Sequence, residues 1–195
     1  MNNYDKILEI ANNNNGIITS QMSKREGIPS VYLTRMVDQG KLERIDVGIY
    51  STEKVILDEY YLLYQKNKRV IFSFSSALFL HGLTDRIPFK LEITLPSNYN
   101  SSHINKDVII HKVMKKYYSI GCTIKVTMFG NEVACYDMER TICDLVRFRN
   151  KVDIEIFRKA IQLYKNHKNR DYHKLRQYAA IFNISKQINE LLDVL

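Results

Sequence analysis

Apolar residues recur at helical spacing near the start of the chain. Those of residues 4–11 fall on one helical face, and the run of asparagines that ends in Gly16 is a stop signal. Residues 17–18 then predict a short extended segment, and a second helix follows to about residue 26, capped by Thr19 or Ser20. The pattern therefore predicts two short helices with a strand between them.

A third helix is predicted between two turn signals. Leu33, Met36 and Val37 are spaced i, i+3 and i+4, so they share one inward face. Ser30 is placed to cap this helix and Gly40 to end it. The opposite face is polar and is left for solvent or a partner.

Two short apolar stretches follow, at residues 42–45 and 49–51. Residues 46–48 join them, and Gly48 supplies the positive φ that a tight hairpin turn needs. A short helix and a two-stranded hairpin are each marginal alone, so both must be held by neighbouring elements. Three helices and a hairpin in this order predict a winged helix-turn-helix domain over residues 1–55.

The rest of the chain passes from strand periodicity to helix periodicity. Residues 55–64 predict a helix before a polar basic stretch, so we interpret residues 56–69 as a linker or connecting helix and residues 70–195 as a C-terminal domain. Strands are predicted at 90–95, 108–113, 122–129 and 131–136, and helices from Ser75 or Ser76 to Gly82 and at 138–149, 153–167, 171–181 and 185–194. The fold class is therefore α+β, an N-terminal winged helix-turn-helix plus a C-terminal domain of a small β-sheet followed by helices.

The chain carries a formal net charge of +8, which favours anionic partners such as nucleic acid. Residues 1–55 hold seven basic and seven acidic side chains, so the whole excess lies after residue 55. Affinity for duplex DNA comes largely from cations near phosphates, so the N-terminal domain alone is expected to bind weakly. The surplus of basic side chains after residue 55 either contributes to a DNA-binding surface or is spread evenly and only maintains solubility. The candidates for a secondary basic patch are Lys112, Lys115, Lys116, Arg147, Arg149 and Lys151.

The third helix is predicted to enter the major groove of DNA as a recognition helix. Arg35 is its only cation, and arginine paired with guanine is the commonest specific base contact. Tyr32 and Thr34 can contact a thymine methyl group or a phosphate, and Ser30 a phosphate. The residues predicted to clamp the DNA backbone are Lys24, Arg25, Lys41 and Arg44. The alternative is a protein-interaction module whose cations are simply solvated.

Motifs for catalysis or metal binding are missing from the sequence. The three cysteines and five histidines lack zinc-site spacing, and we interpret the cysteines as buried thiols. Ser75 and His81 have no acid nearby in sequence and no GxSxG elbow, which favours capping over hydroxyl chemistry. Asp137 fits an N-cap, and Asp144 is spaced to pair with Arg140. We therefore predict no catalytic residue, metal or cofactor, and a protein that is not an enzyme.

Three short stretches occur in a particular order along the chain. They are "LERI" with "GIY" at the predicted hairpin, "SSALFLHGL" beginning at Ser75, and "MERTICDLVR" at residues 138–147. Together they make the chain similar to the AbiEi antitoxins of abortive-infection, type IV toxin-antitoxin systems. The resemblance extends over nearly the whole chain, and it implies that residues 70–195 form a C-terminal antitoxin domain.

The resemblance to AbiEi antitoxins implies a function that could not be predicted from the residue patterns alone. AbiEi antitoxins repress their own operon by binding inverted repeats through the winged helix. Their C-terminal domain counters a nucleotidyltransferase-like toxin without forming a stable complex with it. The expected partners are thus operator DNA and that toxin.

Two other function classes remain open from the sequence. One is an enzyme whose C-terminal domain modifies the toxin or a nucleotide, and the other is a regulator with a ligand-sensing second domain. Because the sequence has neither 18 consecutive apolar residues nor a basic and apolar leader, we expect a cytoplasmic protein without a membrane partner.

Overall fold

The computed structural model describes residues 2–52, 56–102, 104 and 107–193. The chain is divided into two compact units. The first comprises Met1–Asn67 with Val126–Glu132, and the second Lys68–Lys125 with Val133–Leu195. Both contain helices and a sheet, so the predicted α+β class is confirmed.

The first unit begins with three helices and a three-stranded sheet. The predicted elements form close to their expected positions because each helix has a start and a stop signal. Asn2 accepts a hydrogen bond from the Asp5 amide at the start of the first helix, and Thr19 accepts one from Met22 at the start of the second. The elements are α1 (Asn3–Asn12), β1 (Ile17–Thr19), α2 (Ser20–Arg25), α3 (Val31–Asp38), β2 (Glu43–Asp46), β3 (Ile49–Ser51) and α4 (Glu59–Lys66).

The sheet of the first unit has the strand order β1-β3-β2, with both pairings antiparallel. Tyr50 of the central strand lies opposite Ile18 on one side and Arg44 on the other. Gly48, at the hairpin turn, has φ of 72°, and a Cβ there would lie 3.4 Å from the Ser20 hydroxyl. The hairpin is therefore one part of a larger sheet and is held against the start of α2.

The core of this unit lies between the three helices and the sheet. The predicted inward residues Leu33 and Met36 are fully buried together with Ile7 and Ile18, and Val37 is half-buried. Burying such side chains stabilises a fold by roughly 1.5–3 kcal/mol each, which is what holds three short helices in place. The two-stranded hairpin gains the same support through β1.

Two expectations for the first unit are corrected in detail. Ser30 occupies the N-cap position of α3 but its side chain makes no capping hydrogen bond, because its backbone has helical angles of φ −60° and ψ −19°. The helix expected from residue 55 begins at Glu59, where the buried Asp58 accepts a hydrogen bond from the Tyr61 amide. Residues 53–55 lie outside the described part of the chain.

The second unit combines a mixed sheet with helices that follow it, as expected. Its strands have the order β6-β5-β4-β8-β7, with β4 antiparallel to β5 and parallel to β8, and β5 parallel to β6. Its elements are β4 (Ile71–Phe72), α5 (Phe74–Leu80), β5 (Glu92–Pro96), β6 (Ile109–Val113), α6 (Lys115–Tyr118), β7 (Cys122–Val126), β8 (Glu132–Tyr136), α7 (Met138–Arg147), α8 (Ile154–Asn166), α9 (Tyr172–Ile181) and α10 (Ser185–Asp193).

Helix α7 is the centre of this unit. All its residues from Met138 to Leu145 are buried, and Asp137 caps it as predicted by accepting a hydrogen bond from the Arg140 amide. Leu78 of α5 and Leu175 of α9 belong to the same apolar cluster. The pairing of Arg140 with Asp144 is also observed, inside the core rather than on a surface.

Three features of the second unit differ from expectation. The strand β4 and the helix α6 were not expected, because two and four residues are too short to show a period. Helix α5 begins at Phe74 after Ser73, so neither Ser75 nor Ser76 is the N-cap residue. Cys122 is exposed whereas the other two cysteines are buried, so the expectation of three buried thiols is wrong at this position.

The division of the chain into residues 1–55, 56–69 and 70–195 is a functional prediction and stays one.

Among the described residues, none of the helices has the length and apolar character needed to cross a membrane.

Candidate DNA-binding surface

The outer face of α3 carries the residues predicted to read DNA. Val31, Thr34 and Arg35 are exposed on this helix, opposite the buried Leu33 and Met36. The spacing that buries one face necessarily turns the other outward. Arg35 therefore has the exposed position that base contact requires.

A pair of tyrosines lies beside Arg35. The rings of Tyr4 and Tyr32 meet edge to face with their centroids 5.5 Å apart, and Tyr32 is half-buried. The guanidinium carbon of Arg35 lies 5.8 Å from the Tyr32 ring centroid, and Nζ of Lys41 lies 5.5 Å from that of Tyr4. Such cation–π contacts orient flexible cations at an exposed surface. The tyrosine pair thus connects Arg35 to Lys41.

Tyr4 is a member of this surface that sequence reasoning missed. Its position on the apolar stripe of α1 indicated only a core residue, and no spacing rule relates it to Tyr32. Only the packing of α1 against α3 brings the two rings together.

The other predicted contact residues of the first unit are also on the surface. Lys24 and Arg25 are exposed in the last turn of α2, and Ser30 is exposed at the start of α3. Arg44 is exposed on β2, while Lys41 lies in the connection before that strand and is exposed as well. All these side chains are available to a large ligand.

The tip of the hairpin is apolar. Val47 is 80% exposed there. The neighbouring Asp46 is held by an ion pair with Lys66 and accepts a hydrogen bond from the Val47 amide. The Lys66 hydrogen bond, more than any other interaction, lowers the pKa of Asp46 below its ordinary value. The cations at the base of the hairpin, Lys41 and Arg44, are both exposed.

The secondary basic residues divide into two groups. Lys112, Lys115 and Lys116 are exposed on β6 and α6, and Lys151 is exposed at the end of a 3-10 helix at Arg149–Lys151. The two arginines of this set are instead half-buried, with Cζ of Arg147 4.6 Å from the Phe182 ring centroid and Cζ of Arg149 4.0 Å from that of Phe157.

Arg147 also forms an ion pair with Asp144 at 3.1 Å. Asp144 is shared with the buried Arg140, so its single negative charge offsets only part of the charge of the two arginines. The exposed lysines are the side chains of this set that an anion reaches most easily. Within the described segments, no group of three or more His, Cys, Asp or Glu residues could hold a metal ion.

The N-terminal part of the chain resembles a known protein family. Residues 5–52 match the AbiEi antitoxin family model, described as "Transcriptional regulator, AbiEi antitoxin". The expected resemblance to AbiEi antitoxins is therefore confirmed over the three helices and the hairpin. The AbiEi match ends before "SSALFLHGL" and "MERTICDLVR", whose likeness to these antitoxins stays a prediction.

Comparison with solved structures extends the similarity of fold beyond the AbiEi segment. The chain is similar to the crystal structure of the RV2827C protein from Mycobacterium tuberculosis, with a TM-score of 0.61 and 13% identity. The similarity covers 96% of this chain and 75% of that chain. At this identity it shows a shared fold. No curated protein matches the sequence.

Proposed function

We propose that this protein represses its own operon by binding inverted repeats in operator DNA, and that it is the antitoxin of a type IV toxin-antitoxin system. The observation that supports the DNA-binding half most strongly is the exposed Arg35 on α3 within the segment that matches a family of transcriptional regulators. Both halves draw on the family match, and only the DNA-binding half also rests on the exposed Arg35, so the two are tested separately.

The recognition step is assigned to α3. A recognition helix lies in the major groove, where an exposed arginine can donate two hydrogen bonds to one guanine. Tyr32 supports the Arg35 side chain from the same helix, which lowers the entropy lost on binding. Thr34, next to it in sequence, is exposed and can reach a phosphate or a thymine methyl group.

The clamping step is assigned to the exposed cations on either side of α3. Lys24 and Arg25 end α2, and Lys41 and Arg44 lie at the base of the hairpin. Contacts of this type position a protein on DNA without reading its sequence. The apolar Val47 leaves the hairpin tip without a cation of its own, so the proposed clamp uses the base of the hairpin.

The balanced charge of residues 1–55 requires attraction from elsewhere. We assign it to the exposed lysines Lys112, Lys115 and Lys116 of the second unit. Each phosphate neutralised releases counterions, so these lysines would raise affinity for every DNA sequence alike. This makes the second unit part of the repressor as well as the antitoxin.

The antitoxin half rests on the family description. The family model names an AbiEi antitoxin, and the proposed partner is a nucleotidyltransferase-like toxin that is countered without a stable complex. The absence of enzymatic activity and a cytoplasmic location stay predictions. The alternative of a regulator with a ligand-sensing second domain is favoured by a cavity in the second unit, lined by Phe74, Glu92 and His111 among others.

Two experiments test the two halves on the full chain. In a gel-shift titration, the protein should bind a duplex taken from upstream of its own gene much more tightly than a shuffled duplex of equal composition. Equal affinities would contradict the repressor proposal. Co-expression of the protein with the product of the neighbouring gene should restore growth that this product alone prevents, and continued arrest would contradict the antitoxin proposal.

A further inference from the structure

A cavity of about 240 Å³ lies within the second unit. Helices α5, α7 and α8 supply much of its apolar wall, through Leu78, Leu145 and Ile156. Phe74, Phe148 and Val152 complete that wall. An apolar cavity with a few polar groups is the usual form of a small-molecule site.

The polar groups of the cavity meet at one carboxylate. The Ser75 hydroxyl donates a hydrogen bond to Oε1 of Glu92 at 2.6 Å, and Nε2 of His111 donates to Oε2 of the same residue at 2.6 Å. The Glu92 side chain is 18% exposed and that of His111 is 29% exposed. The carboxylate is therefore held rigidly at the cavity wall by two donors, one on each oxygen.

The backbone beside this carboxylate is strained. Phe74 has φ of 47°, in the left-handed region that side chains other than glycine rarely adopt. Its ring stacks on His111 with centroids 3.9 Å apart and meets Phe148 edge to face at 5.7 Å. Strain of this kind costs about 1–3 kcal/mol and is concentrated at functional sites. Here it accompanies the close stacking of an aromatic ring over the histidine.

The order of the hydrogen bonds argues against hydrolytic chemistry. In a serine nucleophile triad, the histidine lies between the serine and the acid so that it can take the serine proton. In this cluster Glu92 lies between Ser75 and His111, and the serine proton points at the carboxylate. The arrangement orients Glu92 as a hydrogen-bond acceptor and does not activate Ser75.

The remaining acceptor capacity of Glu92 defines the ligand. An ionised carboxylate has about four lone-pair sites, and the two donors occupy two of them. Two parallel N–H groups are the best complement to such a carboxylate, as in an arginine fork. We propose that this cavity binds a small molecule with a flat, amidine-like edge of two adjacent N–H donors on a compact body.

Two other side chains of the cavity refine this choice. Asp153 caps α8, since its Oδ1 accepts hydrogen bonds from the amides of Glu155 and Ile156. Lys151 is exposed and lines the cavity, so it can meet an acidic group on the same ligand. Both a guanine nucleotide and a guanidino acid such as arginine carry this combination of an N–H pair and an acidic group.

The proposal is tested by calorimetric titration of the full chain with benzamidine, which has the amidine edge, and with benzamide, which has nearly the same shape but a carbonyl in place of one nitrogen. Benzamidine should bind at least tenfold more tightly. Glu92→Gln should weaken it tenfold or more, because the variant cannot form the charge-assisted bidentate pair. The exposed Glu132 does not line the cavity, so Glu132→Gln is the matched control and should bind like the parent.

A second variant separates binding from folding. Val152→Trp fills the cavity without changing Glu92, and it should also abolish benzamidine binding while thermal unfolding shows an intact fold. Further titrations with guanosine monophosphate and arginine identify the natural source, and tighter binding of either supports the proposal. Equal binding of benzamidine and benzamide, unchanged binding by both variants, or no binding of any probe to the parent would overturn it.

Discussion

Nε of Arg140 donates a hydrogen bond to Oδ2 of Asp144 at 2.9 Å, inside the core of the second unit. The Arg140 side chain is fully buried and that of Asp144 is 4% exposed. Nη1 of Arg140 also donates to the backbone carbonyls of Tyr117 and Ile120, each at 2.8 Å. Arg140 therefore attaches the backbone of residues 117–120, at the end of α6 and just after it, to helix α7.

We expect Asp144→Ala to destabilise the protein by about 3–5 kcal/mol, because it leaves the buried guanidinium of Arg140 without its counter-charge. Urea unfolding followed by far-UV circular dichroism measures the change. Lys186 and Glu190 have the same i, i+4 spacing but are 87% and 64% exposed, so Glu190→Ala is the matched control. It should cost less than about 1 kcal/mol. Similar losses of stability in the two variants would contradict a structural role for the buried pair.

His81 should make stability depend on pH. Its ring donates from Nε2 to the carbonyl of Tyr136 at 2.7 Å, and burial lowers its pKa from 6.5 to about 4. Because the unfolded chain takes up this proton first as the pH falls, the contribution of His81 is complete above the unfolded pKa. It is lost progressively between about pH 6.5 and pH 4, and amounts to on the order of 3 kcal/mol.

The measurement compares free energies of unfolding across that pH range for the parent, His81→Asn and His173→Asn. His173 is exposed, so its replacement should leave the pH dependence of the parent unchanged. His81→Asn should flatten the dependence. An equally steep curve for His81→Asn would mean that other groups produce it.

The first unit has a buried carboxylate, that of Asp58, whose structural role can be tested by substitution and hydrogen exchange. Asp58 is 4% exposed, caps α4, and accepts a hydrogen bond from Nδ2 of Asn131 at 2.9 Å and another from the hydroxyl of Thr127. We expect Asp58→Ala to cost about 2–4 kcal/mol, because three buried or half-buried donors lose their acceptor. Hydrogen exchange should show faster exchange at the amides of Tyr61 and of residues 127–131.

Asp38→Ala provides the control for Asp58, since Asp38 is exposed at the end of α3. It should leave exchange at residues 127–131 unchanged. Unaltered exchange in Asp58→Ala would show that the carboxylate does not anchor this turn.

The sequence predicts the first unit better than the second, and the reasons are physical. The three helices have clear apolar stripes, and glycines at positive φ follow them, with φ of 69° at both Gly27 and Gly40. Local signals of this kind can be read without knowledge of the fold. The pair of Tyr4 and Tyr32 beside Arg35 depends on the packing of two helices, so it could not be found in this way.

The cavity in the second unit shows the same limit more strongly. Ser75 seemed to lack a nearby acid, yet Glu92, 17 residues later, accepts its hydrogen bond. His111 joins Glu92 across 19 further residues, because β5 and β6 are parallel neighbours with Thr94 opposite His111. Contacts set by strand pairing have no local sequence signature. The left-handed backbone of Phe74 likewise conflicts with its residue type, so the start of α5 was expected too late.

The exposed lysines of the second unit lead to a prediction about salt. Replacing Lys112, Lys115 and Lys116 by Gln should lower affinity by a similar factor for operator and shuffled DNA. It should also reduce the slope of log affinity against log salt by up to about one for each phosphate that is no longer neutralised. Replacing Lys168, Arg176 and Lys186, also exposed, removes the same charge and is the control. Equal slopes for the first variant and the parent would exclude these lysines from the DNA surface.

The central claim is that α3 presents Arg35 to a base in the major groove, and it is tested most directly by measuring operator affinity for Arg35→Ala over a set of single base-pair changes. Changing the contacted guanine should cost the parent about 1–3 kcal/mol of binding free energy. On the unchanged operator, Arg35→Ala should bind more weakly than the parent by the same amount. At the position of that guanine, Arg35→Ala should bind all four base pairs equally. Lys6→Ala, an exposed cation on α1 outside the predicted surface, should keep both the affinity and the preference of the parent. An Arg35→Ala protein that binds the whole set as the parent does would contradict the claim.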